Sequence, residues 1–249
     1  MTSAKDIRVA PIGSADARAF VRAHHYSGKG TANSQLHLGA FIGARLVGVS
    51  QFGPPMDRSK LVGLVRETPW NGMMELNRLA LIDDTPRNTE SRFLSVCFRM
   101  IRQNAPHIQW VVSFADATQC GDGTIYRAAG FVLTAVKVNK TILRMPDGSI
   151  IANKTLDNPN HTGADGRVGS AIARENGAVP LPGFQLRYIY FLDPTARARL
   201  TVPVLPFTKI AEMGASMYLG QPRASEASSD APAIHAGEGG AAPTLTLQQ

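Results

Sequence analysis

The stretch Ile108–Phe131, I-Q-W-V-V-S-F-A-D-A-T-Q-C-G-D-G-T-I-Y-R-A-A-G-F, decides the fold. Ile108–Phe114 is largely apolar and reads as a buried strand. A polar turn rich in Asp and Gly follows, then a short helix carrying Tyr126 that stops at Gly130, and Phe131 opens a new strand. Strand, polar turn and helix is a common setting for ligand sites, because backbone donors at a helix start meet side chains at a strand end. Ser113, Asp116, Asp122 and Tyr126 all fall in that setting.

Working outward, the segment before this stretch is a strand–turn–helix of the same kind. Met73–Ile82 (M-M-E-L-N-R-L-A-L-I) reads as a central strand, with Glu75 and Asn77 on one face and Arg78 on the other. The turn D-D-T-P-R-N-T-E-S-R leads into a helix with Phe93, Val96, Cys97, Met100 and Ile101 at helical spacing, capped by Thr89 or Asn88 and stopped by Pro106. Further upstream, Ile7–Pro11 is a strand and Ser14 caps a helix over Ala15–His24. That helix ends in the polar loop H-H-Y-S-G-K-G. Leu36–Ile42 and Leu46–Phe52 form a hairpin broken by Gly53-Pro54-Pro55, and Asp57–Trp70 reads as irregular. Downstream come a strand over Phe131–Val138, a long Asn/Asp/Gly/Pro-rich segment over Asn139–Phe184 with a helical turn at Ala171–Asn176, and a strand over Gln185–Leu192. A short helix after Asp193-Pro194 and another over Ile210–Tyr218 complete the ordered part. The composition beyond is that of a disordered tail. The expectation is a single α/β domain over 1–218, with 139–184 as an insertion or lid and 219–249 as the tail.

Composition limits the function classes. The chain has 249 residues, 44% of them hydrophobic, enough for a sizeable core. Its net charge is +7, and the tail (Arg223 against Glu226, Asp230 and Glu238) is slightly acidic, so the body is more basic still. A basic body suits a polyanion such as nucleic acid, and equally a solvated surface. Two cysteines, Cys97 and Cys120, make no disulfide framework. No apolar run reaches the roughly 18 residues that span a bilayer. The expectation is a cytoplasmic protein that engages no membrane.

The order of elements, together with R-N-T-E-S-R and Y-R-A-A-G-F, resembles the GNAT acyltransferases. The resemblance implies a mixed central sheet flanked by helices and a phosphate-cradling turn at a helix start. It also implies a tyrosine in a Y-x-x-x-G-F context that protonates a leaving thiolate, here Tyr126. The usual turn carries two glycines that let the backbone approach a phosphate; Arg87-Asn88-Thr89-Glu90-Ser91-Arg92 has neither, and Glu90 adds a negative charge. A closer resemblance runs from about residue 24 to 130 through H-H-Y-S-G-K, N-S-x-L-H-L-G, Q-F-G-P-P-M-D, W-N-G-M-M-E-L-N-R, P-R-N-T-E-S-R and S-F-A-D-A-T-Q-C-G-D-G. These motifs are similar to those of the Mom family of phage DNA-modification proteins. That resemblance implies conversion of adenine in duplex DNA to N6-(carbamoylmethyl)adenine, shielding phage DNA from restriction in the cytoplasm of a bacterial host.

Adenine N6 is a poor nucleophile, so bond formation there needs a base, a positioned electrophile and help for the leaving group. Asp116 is the first candidate for the base or a metal ligand, with capping of the turn as its structural alternative. Asp122 is better placed to cap. Tyr126 is a candidate acid, or a packed aromatic. Arg78 is a candidate to hold a carboxylate or a donor phosphate, or to make a salt bridge at the edge of the core. Arg87, Ser91, Arg92 and Ser113 are candidates for holding acetyl-CoA or a related donor. His25, Tyr26 and Asp116 are the candidate ligands of iron that the Mom resemblance suggests. His24, His37 and His107 read as surface or core residues, and Cys120 as an ordinary thiol. Lys29, Arg58, Lys60 and Trp70 lead the DNA-contact candidates, with Trp70 as a stacking partner or a packed anchor. A homodimer is a candidate assembly. An N-acetyltransferase acting on another amine and a non-catalytic basic DNA-binding protein are the competing functions.

Overall fold

The computed structural model describes residues 3–157, 168–218 and 220–222. The expected α/β architecture is present, a mixed sheet flanked by helices. Seven strands form it: β1 (Arg8–Pro11), β2 (Leu36–Ile42), β3 (Arg45–Gly53), β4 (Met73–Leu81), β5 (Trp110–Ala117), β6 (Val132–Val138) and β10 (Phe184–Phe191). Their order across the sheet is β1-β2-β3-β4-β5-β10-β6. All neighbours are antiparallel except β4 and β5. This parallel pair is short. Met73–Glu75 lies beside Trp110–Val112, and beyond these residues the strands part. The sheet therefore opens as a wedge at the C-terminal ends of two parallel strands, where α/β sheets place their ligands.

Helices cover both faces. Between β4 and β5, α3 (Thr89–Asn104) buries Phe93, Leu94, Cys97, Phe98 and Ile101 against Leu38, Phe52, Leu76 and Val111. On another face α1 (Ser14–His24) sets Ala17 and Val21 against Val49 and Ala80. Trp110 is fully buried among Leu64, Val65 and Ile189, and its indole N–H donates to Thr68 Oγ1 at 3.0 Å.

Several boundaries differ from the sequence expectation. The strand expected over Ile108–Phe114 runs over Trp110–Ala117, so Asp116 lies on the strand and not in the turn. Ser14 is the first residue of α1, and Gly13 takes the N-cap position without a side-chain bond. The irregular segment Asp57–Trp70 contains a helical turn, α2 (Arg58–Leu61). The helix expected over Ile210–Tyr218 is only α7 (Thr208–Glu212), because Gly214 takes a left-handed φ of 68°. Met217–Tyr218 then forms a strand with Gln221–Pro222. The period-two reading of Met73–Ile82 fails at Asn77. The β3–β4 ladder pairs Gln51 with Arg78 and Phe52 with Leu76, leaving Asn77 as an extra residue. Such a bulge re-aims side chains, and Glu75, Asn77 and Arg78 all line one cavity.

The insertion has a structure of its own: β7 (Ile142–Arg144), β8 (Ile150–Ala152), β9 (Val179–Pro180), α5 (Asn153–Leu156) and α6 (Gly169–Glu175), packed on Leu143, Ala173 and Ala178. Val138 and Phe184, which flank it, pair with each other at the end of β6 and β10. Asn139, 2% exposed, anchors its base. The side-chain amide donates to the carbonyls of Ile142 and Leu181, and the side-chain oxygen accepts from the N–H groups of Thr141 and Ile142. The tail expected from 219 onward lies outside the described residues apart from 220–222.

Candidate functional site

The wedge between β4 and β5 holds a cavity of about 310 Å³. Such a volume is at the small end of the ~300–1,000 Å³ of ordinary ligand pockets. Its walls bring together His25, Tyr26, Glu75, Asn77, Arg78 and Asp116, and the turn after β5 adds Cys120, Asp122 and Tyr126. Ile142 of the insertion and Met217 and Tyr218 of the C-terminal strand close other sides. Candidates far apart in sequence thus share one cavity: His25, Tyr26, Arg78, Asp116 and Tyr126.

The loop after α1 delivers the first two. His25 ends the helix with its N–H on the carbonyl of Val21, and its Nδ1 lies 2.8 Å from Ser27 Oγ. Burial, then the Arg78 guanidinium, hold its pKa down at about 4, so the imidazole is neutral at physiological pH. Tyr26 lies against His25, ring centroids 4.4 Å apart, and donates its hydroxyl to Asp116 Oδ2 at 3.3 Å. Desolvation at the cavity wall and then the Asp116 charge push the phenol's pKa above its ordinary value, although the residue as a whole stays 51% exposed. Arg78 fixes the loop by donating Nε–H to the Lys29 carbonyl at 3.0 Å, while Nη1 donates to the Asn77 carbonyl at 2.6 Å.

Asp116 is heavily engaged. Oδ1 accepts from the Thr118 backbone N–H at 3.0 Å and from its hydroxyl; Oδ2 accepts from Gln119 Nε2 at 3.2 Å and from Tyr26. The Asp116 carbonyl also receives the N–H groups of Cys120 and Gly121. Asp122, 3% exposed, takes the Arg127 guanidinium at 3.3 Å and the Thr124 hydroxyl at 2.9 Å. Its carbonyl accepts the Tyr188 hydroxyl at 2.5 Å. Asp122 thus holds the turn in front of α4 (Thr124–Ala128), whose N-cap is Gly123. Tyr126 packs between Phe131 and Tyr188. Burial raises its pKa, and the Ser113 hydroxyl partly offsets the rise. Ser113 itself is fully buried beneath the cavity, donating to the Leu76 carbonyl at 3.4 Å.

The sequence reading left Glu75 and Asn77 without a role. Their signal was the E-L-N-R run inside an otherwise apolar strand. Burial raises the Glu75 carboxyl above its ordinary value, although the Asn77 amide, Arg78, Lys154 and the Met56 N–H all favour its charged form. A carboxyl raised in the folded state contributes its full stability below the unfolded pKa, about 4.3. That contribution is lost as pH rises through the folded pKa. Glu75→Gln keeps the shape without the charge. It is therefore expected to melt above the wild-type chain at pH 8, with the gap closing toward pH 4. A variant less stable than wild type at pH 8 would contradict this account.

The donor candidates Arg87, Ser91 and Arg92 lie elsewhere, along an open cleft at the start of α3 that also includes Lys5, Asn88, Ser95, Ala128 and Ala129. Asn88 stands in the left-handed conformation, φ 67°, ψ 12°, which asparagine tolerates better than most residues. It supplies a backbone turn usually left to glycine. Ser91 donates to the Asn88 carbonyl at 3.1 Å, and Arg92 Nε is buried without a protein partner. Glu90 is not among the residues lining the cleft.

The DNA-contact candidates form two places. Lys29 is exposed on the loop that Arg78 holds. Arg58 lies over the Trp70 ring at 4.4 Å, and Trp70 is 74% exposed. Asp57, next to Arg58, binds Lys60 at 3.8 Å and Lys154 of the insertion at 2.8 Å. Among the described residues no helix is long and apolar enough to cross a membrane.

A sequence model of the Mom protein family matches residues 6–209. The protein named methylcarbamoylase mom, from Escherichia phage Mu, is 38% identical over 210 residues, covering 82% of this chain and 85% of that protein. Among solved structures, the ribosomal-protein-S18-alanine N-acetyltransferase of Escherichia coli superposes with a TM-score of 0.40 at 8% identity, covering 75% of this chain and 94% of that one. A spermidine/spermine N-acetyltransferase of Vibrio cholerae gives 0.44 at 7% identity, covering 78% and 98%. Superpositions at this level carry no functional information.

Proposed function

The chain belongs to the Mom protein family, and from that premise we propose that it is a transferase converting adenine in duplex DNA to N6-(carbamoylmethyl)adenine. In this reading it works in the cytoplasm of a bacterial host and shields phage DNA from restriction. The observation that carries the reading is the wedge cavity, which collects His25, Tyr26, Arg78, Asp116 and Tyr126 beside an open β4–β5 split. Its size suits a single extruded base, and a base must leave the stack for chemistry at N6. Lys29, Arg58 and Lys60 serve the phosphates, and the exposed Trp70, stacked by Arg58, offers a face to a neighbouring base.

Each residue's part follows from its surroundings. Tyr126, held protonated by burial, donates to the leaving group as it departs. Arg78 positions the polar end of the donor. Arg87, Ser91 and Arg92 hold the phosphates of acetyl-CoA or a related carrier at the α3 start, where the helix dipole favours an anion. Among the described residues no three His, Cys, Asp or Glu side chains gather as a metal cage. A neutral imidazole, a phenol and a carboxylate do share the cavity at His25, Tyr26 and Asp116, and that donor set suits iron, which would replace the Tyr26 hydrogen bond on Asp116 Oδ2. When bound, the metal would supply Lewis-acid polarisation.

The test is nucleoside mass analysis of plasmid DNA from cells producing the chain. A carbamoylmethylated adenine is the expected result. Unmodified adenine from soluble, DNA-binding protein would remove the reading in favour of a binding module. An acetylated amine on another molecule would favour an ordinary N-acetyltransferase.

A further inference from the structure

Three carboxylates line the wedge cavity: Glu75, Asp116 and Asp122. An ionised carboxylate has about four acceptor sites. Asp116 meets four protein donors, at Thr118 N, Thr118 Oγ1, Gln119 Nε2 and Tyr26 Oη. Asp122 is buried on Arg127 and Thr124. Among the described residues, the Asn77 amide and the Met56 backbone N–H are the only groups that favour the Glu75 carboxylate as hydrogen-bond donors. It therefore keeps acceptor capacity that the other two have spent on the protein.

Its place in the fold is equally specific. Glu75 pairs with Val112 on one side and Gly53 on the other, and it is the last β4 residue to pair with β5. The side chain therefore stands at the vertex of the wedge. The bulge at Asn77 turns the next polar residue into the same space. A relay sets the orientation of its carboxamide. Ser34 Oγ donates to Asn77 Oδ1 at 3.0 Å, and Thr31 Oγ1 lies 2.5 Å behind Ser34 Oγ. With Oδ1 so occupied, the Asn77 NH₂ is the end left for Glu75. Thr31 and Ser34 belong to the loop that also carries His25 and Tyr26, so the loop and the carboxylate are set together.

Resting on the proposed DNA modification, we propose that Glu75 receives the exocyclic N6–H of the target adenine and takes its proton during the transfer. The carboxylate accepts the amine's hydrogen bond and fixes its lone pair toward the donor. The donor is a carrier other than acetyl-CoA, whose carbonyl would give an N-acetyl adenine: an electrophile whose carbamoylmethyl CH₂ is bonded to a leaving atom. The N6–C bond forms, the bond from CH₂ to the leaving atom breaks, and the leaving atom departs with that electron pair. The N6 proton passes to Glu75, and the Tyr126 hydroxyl stands ready to protonate the leaving atom. Asn77 is a positioning residue in this step, and Ser34 positions Asn77.

The experiment compares wild type, Glu75→Gln and Ser34→Ala by the initial rate at which modified adenine accumulates in plasmid DNA after induction. DNA affinity and melting temperature of each purified chain are measured beside it. Glu75→Gln is expected to bind DNA as wild type does while its rate falls by about 100-fold or more, the usual range for a lost base. Ser34→Ala is expected to fall several-fold in rate with DNA affinity unchanged. A folded Glu75→Gln within about three-fold of wild type, below the range of base catalysis, overturns the inference and leaves the DNA modification standing. If Glu75→Gln does not fold, Ser34→Ala decides, and an unchanged rate overturns the inference. A wild-type chain that leaves adenine unmodified overturns both.

Discussion

Gly53→Ala is expected to abolish adenine modification and lower the melting temperature, although Gly53 touches neither DNA nor donor in the proposed reaction. A Cβ added there would lie 2.2 Å from the Asn33 carbonyl oxygen and 3.0 Å from Asn77 Oδ1. The first is a backbone atom on the loop after α1, so no rotamer change relieves the overlap. The loop must move, and overpacking of this kind costs about 1–3 kcal/mol or more. At about 2–4 °C per kcal/mol for a chain of this size, several degrees of melting temperature go with it. The activity loss is larger because the displaced loop carries His25, Tyr26, the Ser34 hydroxyl on Asn77 and the Lys29 carbonyl that holds Arg78. Gly43→Ala is the control. Gly43 has a left-handed φ of 59°, which Gly53 does not, and nothing lies within 4 Å of its Cβ. That variant strains a hairpin turn and leaves the site alone. Melting curves and nucleoside mass analysis of the two variants check the argument, and a Gly53→Ala chain as active as Gly43→Ala would defeat it.

Asp116→Ala is expected to lose about 10–100-fold of the modification rate, the range for a group that orients a site, and any iron that elemental analysis finds in the wild-type chain. The carboxylate links the turn at Thr118 and Gln119 to the Tyr26 hydroxyl across the cavity. Its removal leaves two hydroxyls, one amide and one backbone N–H to find other partners. Asp116→Asn separates the two effects, because it keeps an acceptor for Thr118 but weakens any metal bond. Iron retained at the wild-type ratio in both variants would end the assignment of Asp116 as a ligand. A rate near wild type in both would end its role in the reaction.

Much of the scaffold is legible in the residues. Apolar runs mark Val111 and Val112 for a central strand, and Phe93, Cys97 and Ile101 recur on the buried face of α3 as their spacing requires. Motif resemblance points to Asp116, Tyr126, His25 and Tyr26, and the fold brings them to one cavity. Local pattern could not show Glu75 and Asn77 as partners of that cavity. Period two assigns faces only where the ladder is regular, and the extra residue at Asn77 breaks it through pairing with β3. The donor turn hides for a similar reason. Missing glycines argue against a tight backbone, yet Asn88 reaches the left-handed region without them. Ile142 and Met217 enter the site through long-range packing that no local signal announces.

The pairing of Val138 with Phe184 has a bearing on how this chain came to be. The two strands on either side of the insertion already meet as a hairpin would. The intervening segment stands where a hairpin connection would, and its described residues form a small folded unit. Because closure entropy rises only slowly with length, a chain could acquire or shed such a unit in one event without changing the sheet's register. The wedge and its carboxylates can then be the older inheritance. The small sheet over Ile142 is then separable from the main sheet in sequence while Lys154 ties it back to Asp57.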